Sequence, residues 1–398
     1  MQEQCDVVVV GASLAGPCAS LFSSFGGIDT ILVEKKNIIG TPVKCGEFIP
    51  TLESMKKLLP KTMYVEKIYS LIPPETISNR TKSIKLYSPS NRCFEFKFDG
   101  LVLRRDLLEQ HIVRKAEENG ARLYISSVVK TLKVDEKFRK IVVKGPDGEK
   151  VVRAKIVVGA DGFPSRIATW ASMEHGYSLS DITLAIQNTM ANVDVEESSV
   201  EMYTGNKYAP GAYAWIIPKG EKIANVGLGV RLSCFRSSER MPIRSIFEKF
   251  LKEHPVASKK LAKAKPISFS AKMVPAGGMV KELYKDNVIL VGDAAGLVLP
   301  INGSGIPTAM ISGCIAGEVA SKCIHSNSEL DIYEEKLKRE LDPIINLSLA
   351  YRHIADRFMY SDRRYSAALR FIGALGLSRI LKCEKTTLGT IFQKFLAS

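Results

Sequence analysis

The sequence has 398 residues, an ordinary hydrophobic fraction of 45% and a formal net charge of +14. It contains no run of the ~18 apolar residues that a membrane-spanning helix needs, and its eight cysteines lack CxxC or zinc spacing, which argues against a metal site. The cysteine usage and the absence of a signal-peptide pattern predict a cytoplasmic protein, and without a recognisable nucleic-acid-binding module we expect no nucleic acid partner.

The N-terminal segment carries a glycine-rich turn typical of phosphate binding. An apolar, β-branched run over residues 6–10 has the character of a parallel strand buried on both faces, and Gly11 and Gly16 follow it. Ser13 stands where the G-x-G-x-x-G pattern has its second glycine, which normally lets the backbone approach a pyrophosphate closely. A serine is small enough to be tolerated there, at some cost in closeness.

The turn is followed by the other elements of a dinucleotide-binding βαβ unit. Residues 14–25 are predicted to form a helix whose N-terminus faces the phosphate, and a second strand over residues 30–33 ends in Glu34. An acidic side chain at that point can accept hydrogen bonds from both ribose hydroxyls. The order of strand, turn, helix, strand and acid favours dinucleotide binding over a plain βαβ unit in which the glycines serve only packing.

Two motifs in the middle of the chain are open to two interpretations. Residues 103–120 are predicted to form a helix with Arg105 near its start, where the guanidinium either pairs with a pyrophosphate or is solvated. The apolar run 156–158 is predicted to be another buried strand, and it leads through Gly159 to Asp161. Asp161 is either a cofactor ligand or part of a structural turn.

A second glycine-rich segment lies almost a whole chain away from the first. A buried strand over residues 288–291 ends in Gly292 and Asp293, and a glycine-rich helix start follows over residues 300–305. A dinucleotide held by the first motif needs only one βαβ unit, so a second motif implies a longer cofactor that is held at two places. The combination predicts FAD bound in an extended form.

The overall pattern predicts an α/β fold with an α+β insert: a Rossmann-like FAD-binding domain, an inserted antiparallel-sheet substrate domain and C-terminal helices. Alternating runs such as 83–87 and 224–230 indicate the antiparallel strands. The predicted boundaries are 1–65, 100–165 and 270–327 for the discontinuous FAD-binding domain, 66–99 and 166–269 for the substrate domain, and 328–398 for the helical region.

Together these pieces resemble the p-hydroxybenzoate hydroxylase-type flavoproteins over roughly residues 5–320. Two further segments, 43–47 (Val-Lys-Cys-Gly-Glu) and 210–218 (Pro-Gly-Ala-Tyr-Ala-Trp-Ile-Ile-Pro), are similar to the geranylgeranyl reductase family. That family, especially its archaeal members, saturates the isoprenoid chains of ether lipids, and it shows a Cys-Gly-Asp/Glu segment and a P-x-x-Y-x-W-x-F-P stretch. Here Ile217 replaces the phenylalanine, in the wall of the implied substrate tunnel.

The resemblance implies FAD and a set of residues that contact it. Those expected at the adenosine and pyrophosphate end are Ala15, Glu34, Arg105 and, through its backbone, Val129. Those expected at the other end are Cys45, Gly46 and Phe48 at the flavin border, the backbone amides of Gly305 and Ile306 at the pyrimidine edge, and Asp293 at the ribityl or pyrophosphate region. The predicted cofactor-binding set is completed by Gly11, Ser13, Gly16, Asp161 and Gly303.

The implied reaction adds hydrogen across an isolated trisubstituted alkene, which no carbonyl polarises. Reduced flavin can deliver hydride from N5, but the site also needs a proton donor near the flavin and a dry apolar channel. Cys45 is the candidate for tuning the flavin or relaying that proton, and the alternative is an inert packed cysteine. Tyr213 and Trp215, two apart on a predicted strand, either line the channel or are ordinary core aromatics. Cys45 and Cys314 are hypothesised to lie close enough to cross-link.

The resemblance also implies partners. A prenyl lipid is the expected substrate, and NAD(P)H or reduced ferredoxin is the expected electron donor. Residues 363–385 combine six basic residues with apolar ones, which is typical either of a helix in a membrane interface or of a helix packed on the core with a solvated basic face. We expect peripheral, transient membrane contact because chains of this kind reside in bilayers.

Other functions stay open at this point. An aromatic monooxygenase would need oxygen, and a halogenase would need chloride; residues 213–218 partly resemble the tryptophan-rich motif of halogenases. A relative of the electron-transfer flavoprotein–quinone oxidoreductases is disfavoured, because the sequence lacks four-cysteine spacing for an iron–sulfur cluster. A non-enzymatic lipid-binding module is a further alternative. It would be excluded if the flavin of the purified protein were bleached by a reductant and reoxidised by a prenyl lipid.

Overall fold

The computed structural model describes residues 2–60, 62–134, 138–235, 241–326 and 329–386, whose strands form two eight-stranded sheets. The strands are β1 (Gln2–Val10), β2 (Thr30–Val33), β3 (Phe48–Pro50), β4 (Ile77–Tyr87), β5 (Cys93–Leu103), β6 (Arg122–Tyr124), β7 (Val128–Val134), β8 (Arg139–Gly145), β9 (Gly148–Gly159), β10 (Ile182–Ala191), β11 (Ser199–Thr204), β12 (Tyr213–Gly220), β13 (Ile223–Arg231), β14 (Lys265–Pro275), β15 (Tyr284–Lys285) and β16 (Val288–Leu290). The α-helices are α1 (Ala15–Ser24), α2 (Leu52–Leu58), α3 (Tyr64–Ser70), α4 (Arg105–Glu118), α5 (Arg166–Trp170), α6 (Ile243–Glu253), α7 (Ala257–Leu261), α8 (Ile306–Ser326), α9 (Ile332–Met359) and α10 (Asp362–Leu381).

The first sheet is built on parallel strands of apolar, β-branched residues. Its main order is β15-β16-β9-β1-β2-β6, with β7 and β8 attached to β9 as an antiparallel extension. The strands from β16 to β6 are parallel to their neighbours, and Val7, Val8 and Val9 at the centre are fully buried. Because parallel strands end at the same edge of a sheet, the turns after β1, β2, β9 and β16 lie close together.

The second sheet is mainly antiparallel and forms a wall opposite those turns. Its order is β14-β10-β13-β12-β11-β4-β5-β3, in which only β11 and β4 pair in parallel among the described strands. Phe247 and Phe250 of α6 are buried in a core cluster with residues of β10 and β13. Leu369 and Leu377 of α10 pack with Phe96 of β5. The predicted fold class is therefore confirmed.

Strand membership differs from the predicted domain boundaries at three places. The second sheet includes residues 48–50, 100–103 and 270–275, which the boundaries assigned to the FAD-binding domain. The hydrogen-bonded ladders cross the boundaries, because the pairing of β4 with β5 continues past residue 99 to Leu103, β3 pairs with that end of β5, and the paired stretch of β14 extends to Pro275. A change of composition along the chain thus does not mark the end of a strand.

The C-terminal region is helical, but its basic helix is shorter than expected and interrupted. The predicted basic segment 363–385 corresponds to α10, which ends at Leu381, and Gly373 inside it has the non-helical angles φ 65° and ψ 176°. Residues 328 and 387–398 of the predicted helical region lie outside the described residues. Of the helices in the described ranges, none is both long and apolar enough to cross a membrane.

Candidate cofactor and substrate site

A cavity of about 670 Å³ is lined by the turns that follow strands of the first sheet, by strands of the second sheet and by the C-terminal helices. The predicted site residues that line it are Ser13, Ala15, Cys45, Gly46, Phe48, Arg105, Tyr213, Trp215, Asp293, Gly303, Gly305 and Ile306. The loop that contains Cys45 (residues 43–47, the Cys45 loop) and the turn that contains Asp293 therefore face the same space, although Cys45 and Asp293 are 248 residues apart in the sequence.

The phosphate turn lies at the carboxyl end of β1 and has no room for larger residues. Gly11 has a φ of +105°, and a Cβ there would collide with the carbonyl oxygen of Ala160. A Cβ on Gly16 would collide with the carbonyl oxygen of Gly11. Because α1 begins at Ala15, its unpaired amides and the positive end of its dipole face the turn. Gly11 and Gly16 thus shape the wall of the cavity rather than line it.

Glu34 lies at the end of β2, beside the phosphate turn. Its buried carboxylate accepts hydrogen bonds from the backbone amides of Ala12 (2.6 Å) and Lys36 (2.9 Å). The backbone carbonyl of Glu34 accepts a hydrogen bond from the amide of Ser127 (2.8 Å), so the start of β7 lies next to it. Val129 is in this region with its side chain buried in the core, and its backbone contact with adenosine stays a prediction.

Arg105 begins α4 and reaches the phosphate turn. Its Nη2 donates a hydrogen bond to Oγ of Ser13 (2.8 Å), and its guanidinium forms an ion pair with Glu109, one helical turn further on. Burial lowers the pKa of Arg105, but the charges of Glu109 and then Cys45 outweigh it, so the pKa is raised and the side chain stays charged. With 12% of its side chain exposed, Arg105 is not the solvated arginine of the alternative interpretation.

The Cys45 loop is tied to the second sheet. The Sγ of Cys45 accepts a hydrogen bond from the amide of Glu47 (3.3 Å), whose φ of +65° closes the turn. The carbonyl of Cys45 accepts a hydrogen bond from Nε2 of Gln187 on β10 (2.9 Å). These two bonds fix both the thiol and the backbone of Cys45.

The carboxylate of Glu47 anchors the same loop in the interior. This side chain is 2% exposed and forms an ion pair with Lys219 of β12. It also accepts hydrogen bonds from the side chain of Asn225 (2.8 Å) and from the backbone amide of Arg105 (2.9 Å). Since Asn225 also donates to the carbonyl of Gly46 (3.2 Å), the loop, α4 and the second sheet meet at one buried charge.

Tyr213 and Trp215 on β12 line the cavity together. Their rings are arranged edge to face with centroids 5.9 Å apart. The Tyr213 hydroxyl donates to the carbonyl of Asn302 (2.5 Å), and the Trp215 indole N–H donates to Oε1 of Gln187 (3.0 Å). Burial, and then the charge of Cys45, raises the pKa of Tyr213, so its hydroxyl stays protonated.

The second glycine-rich segment, residues 292–305 (the late glycine turn), leads into a helix whose N-terminus faces the cavity. Asp293, after β16, forms an ion pair with Lys272 of β14. Within the following turn the amide of Ser304 donates to the side-chain oxygen of Asn302 (3.0 Å), and α8 begins directly afterwards at Ile306. The first amides of α8 have no partner within the helix and are available to a ligand.

Most of the remaining cavity wall is apolar, with Arg231, Arg352, Asp356 and Lys382 also in the lining, and the cavity reaches the surface at α10. Its walls include Leu86, Phe98, Val200, Met202, Ile217 and Leu377. Ile217 lies against Gly46, so the residue that departs from the family pattern touches the cysteine loop. At the outer end Phe371 lines the cavity and is 94% exposed.

Two family models match this chain. The model described as FAD dependent oxidoreductase matches residues 6–208, and the model described as geranylgeranyl reductase catalytic domain matches residues 181–274. A digeranylgeranylglycerophospholipid reductase from Methanocaldococcus jannaschii is 35% identical over 377 residues, which cover 92% of this chain and 90% of that protein. The chain belongs to the digeranylgeranylglycerophospholipid reductase family. The predicted family and the predicted enzyme class, an FAD-dependent oxidoreductase, are confirmed.

Further relatives and solved structures agree with this assignment. Digeranylgeranylglycerophospholipid reductase 2 from Methanopyrus kandleri is 32% identical over 96% of this chain and 93% of its own. A geranylgeranyl bacteriochlorophyll reductase-like protein from Thermoplasma acidophilum has a TM-score of 0.84 at 26% identity, covering 98% of this chain and 96% of that one. A flavin-dependent brominase has a TM-score of 0.71 at 17% identity, with 99% and 98% covered, which shows a common fold alone.

The residues present fit FAD, the cofactor of this family of oxidoreductases. Gly11 and Gly16 allow the tight turn that brings Ser13 and the start of α1 to the cavity wall, and the Nε of Arg105, which also lines the cavity, is buried without a hydrogen-bond partner. The N-termini of α1 and α8 supply amides at two separate parts of the cavity, as an extended dinucleotide requires.

Asp161 is not among the residues that line the cavity, and its role as a cofactor ligand stays a prediction. Its carboxylate accepts hydrogen bonds from the hydroxyl of Ser165 (2.7 Å) and from the amides of Arg166 (2.7 Å) and Ile167 (3.1 Å). Burial raises the pKa of Asp161, and these hydrogen bonds oppose the rise. Its oxygens are thus used to cap α5, which is the structural-turn interpretation.

The hypothesised cross-link between Cys45 and Cys314 is not supported. Cys314 is fully buried in α8, and Cys45 lines the cavity whereas Cys314 does not. Burial, and then a hydrogen bond with neighbouring Cys18 of α1 that favours the protonated thiol, raises the pKa of Cys314 well above its usual value. Both Cys45 and Cys314 are free thiols.

Sequence reasoning missed seven residues that line the site or hold its lining residues in place. They are Glu47, Glu109, Gln187, Lys219, Asn225, Lys272 and Asn302. Two of them carried a local signal, because Glu109 is four residues after Arg105 on the same helix and Glu47 completes the Cys-Gly-Glu segment. Gln187 and Asn225 carried no signal that pointed to the Cys45 loop, because their partners there are 142 and 178 residues away in the sequence.

Proposed function

We propose that this protein is an FAD-dependent reductase that saturates the C=C double bonds of geranylgeranyl chains in archaeal-type ether phospholipids. The relatives described above are named for reduction of such a lipid. The observation that carries the proposal is the apolar cavity that extends from the Cys45 loop and the late glycine turn to the surface at α10. That shape suits a long hydrocarbon chain whose headgroup stays outside.

Two groups of residues support FAD bound in an extended form. At the adenosine and pyrophosphate end they are Gly11, Ser13, Ala15, Gly16, Glu34, Arg105 and the backbone of Val129. At the flavin end they are Gly46, Phe48, Asp293 and the amides of Gly303, Gly305 and Ile306. When bound and reduced, FAD supplies the hydride for one carbon of the alkene.

The proton for the other carbon is assigned to the thiol of Cys45. Its Sγ lines the cavity and accepts the amide of Glu47, which stabilises the negative charge left on sulfur when the proton departs. Tyr213, which lines the same cavity and whose hydroxyl is protonated, is the candidate for returning a proton to it. Trp215 and Tyr213 also exclude water, which the reaction requires.

The electron donor is proposed to be NAD(P)H or reduced ferredoxin. The sequence has one complete dinucleotide motif at its N-terminus, and that motif is assigned to FAD. Stopped-flow bleaching of the flavin by NADH, NADPH or reduced ferredoxin, each alone and under argon, identifies the donor. A donor must reduce the flavin at least as fast as turnover, and failure of all three contradicts this part of the proposal.

Peripheral membrane contact in the cytoplasm is proposed to occur through α10. The exposed apolar residues around it are Tyr360, Phe371 and Leu375, and the basic ones are Arg363, Arg364, Arg370 and Arg379. Aromatic and leucine side chains suit the interface of a bilayer, and arginines attract anionic headgroups. The proposed discontinuous FAD-binding domain and the proposed substrate domain are supported by the two sheets, because turns after strands of the first sheet and strands of the second sheet line the cavity behind this helix.

An anaerobic single-turnover experiment tests the function. Protein with bound FAD is reduced by dithionite and mixed with a digeranylgeranyl phospholipid; we expect the flavin to reoxidise and the lipid to gain two hydrogens per step by mass spectrometry. The matched saturated lipid should leave the flavin reduced. An oxygen-dependent hydroxylated product would favour a monooxygenase, and a chloride-dependent product would favour a halogenase.

A further inference from the structure

Ser13 has a specific bonding arrangement in the phosphate turn. The motif prefers glycine there, because a side chain keeps the backbone away from the pyrophosphate. In the structure the hydroxyl of Ser13 is fully used: it accepts a hydrogen bond from Nη2 of Arg105 (2.8 Å) and donates one to Oε1 of Glu109 (3.0 Å). Since one hydroxyl contacts both members of an ion pair, it fixes where that pair lies relative to the turn.

The buried position of the Glu109 carboxylate is explained by its contacts with Ser13 and Arg105. A carboxylate that is 3% exposed next to an anion-binding turn is unfavourable by itself, through both desolvation and repulsion of phosphate. Here it forms an ion pair with Arg105 on the same face of α4. The Nε of Arg105 is left without a hydrogen-bond partner, and Arg105 lines the cavity, so the guanidinium is held from behind with a donor still unused.

We propose that Ser13, with Glu109, is a positioning residue that holds Arg105 for the pyrophosphate of FAD. With the usual glycine, the backbone itself approaches the pyrophosphate closely. Here the Ser13 hydroxyl instead holds the Arg105 guanidinium in place before FAD binds, and the guanidinium binds phosphate through charge-assisted hydrogen bonds. The inference rests on FAD being the cofactor, but not on the lipid reaction. It reverses the expectation from the motif, because restoring the consensus glycine should weaken FAD binding.

The test measures the Kd of FAD for the full-length apoprotein by quenching of flavin fluorescence. We expect Ser13→Gly and Ser13→Ala to weaken binding about tenfold, the usual effect of losing one hydrogen bond to a charged group, and Ser13→Thr, which keeps the hydroxyl, to stay within about twofold of wild type. The thermal midpoints of the four apoproteins should lie within a few degrees of one another, because Ser13 itself is exposed and at most two hydrogen bonds are lost. Equal or tighter binding by Ser13→Gly would overturn the proposal.

A double-mutant cycle separates positioning from a plain structural effect. In an Arg105→Lys background, which keeps the positive charge but loses the fork that contacts Ser13, the effect of Ser13→Gly should fall to about twofold or less. If Ser13→Gly costs the same tenfold in both backgrounds, Ser13 does not act through Arg105 and the inference is wrong. Wild-type protein that binds FAD tightly but reduces no lipid would contradict the proposed function and leave this inference intact.

Discussion

At the scale of single residues, the environment of Cys45 makes its thiol the most informative group to change. The sulfur of Cys45 accepts a hydrogen bond from the amide of Glu47, and the backbone carbonyl of Cys45 accepts one from the side chain of Gln187. The side chain of Cys45 is therefore positioned before any substrate binds. A proton donor held in this way typically contributes a rate factor of about 10² to 10⁴.

We therefore expect Cys45→Ala to lower the rate of lipid-dependent flavin reoxidation about 100-fold or more, with FAD still bound. The measurement is anaerobic stopped-flow absorbance of the reduced flavin mixed with lipid. Cys93→Ala is the matched control, because Cys93 is an exposed free thiol outside the cavity and its loss should leave the rate unchanged. A wild-type rate in the Cys45→Ala protein would show that Cys45 is not the proton donor and serves only in packing.

The buried charge of Glu47 leads to a second residue-scale prediction. Removing its cation by Lys219→Met leaves a carboxylate that is 2% exposed with only neutral donors, and breaking a buried pair in this way costs about 3 kcal/mol. We expect the urea midpoint to fall accordingly. Lys281→Met breaks the exposed pair with Glu174 and should leave the midpoint unchanged. Equal midpoints for the two variants would show that Lys219 is not needed to compensate Glu47.

At the scale of elements, His254 joins α6 to α7 behind the second sheet. It is packed between the rings of Tyr203 and Tyr208, with centroids 4.8 Å away in both cases. Its Nδ1 accepts hydrogen bonds from the amides of Val256 and Ala257, both at 3.2 Å, so the ring must be unprotonated at that atom. Burial, and then the charge of Lys207, lowers the pKa of His254 from 6.5 to about 4.

This depressed pKa makes stability fall in mildly acid solution. Between pH 6.5 and pH 4 the unfolded chain takes up a proton on His254 that the folded chain does not, so the free energy of unfolding decreases as the pH falls. We expect His254→Asn to remove part of this slope, roughly 2 kcal/mol at most, in urea titrations at several pH values. His325→Asn, at an exposed position, should keep the wild-type slope. An unchanged slope in His254→Asn contradicts the assignment.

The helix α10 supports a prediction about membrane binding. Phe371, which lines the outer end of the cavity, is 94% exposed, and Leu375 on the same helix is 79% exposed; burying each such side chain contributes about 2 kcal/mol. We expect the double variant Phe371→Ser, Leu375→Ser to bind phosphatidylglycerol vesicles at least tenfold more weakly in sedimentation assays. Phe25→Ser, which removes another exposed phenylalanine at the end of α1, should bind normally. Equal loss in both variants would mean that α10 is not the contact surface.

At the scale of the whole molecule, local sequence specified the elements, but not the contacts between them. The strand, turn, helix and strand from β1 to β2 follow from patterns within about thirty residues, as their periodicity alone indicates. The network around Glu47 joins it to Lys219 and Asn225, which are 172 and 178 residues away, and no periodicity carries that information. Asp161 was ambiguous for another reason, since the same strand end serves a ligand or a helix cap.

The charge of the whole molecule gives the last prediction, because it acts on substrate delivery and not on chemistry. A net charge of +14 attracts an anionic bilayer over a Debye length, which shrinks from about 10 Å at 0.1 M salt to about 3 Å at 1 M. We expect flavin reoxidation by prenyl lipid in anionic vesicles to slow at least tenfold over that range. The same lipid in neutral detergent micelles should react at a nearly constant rate, since the cavity itself is apolar. If both forms slow equally, salt acts on the protein rather than on docking, and electrostatic attraction to the membrane plays no part in turnover.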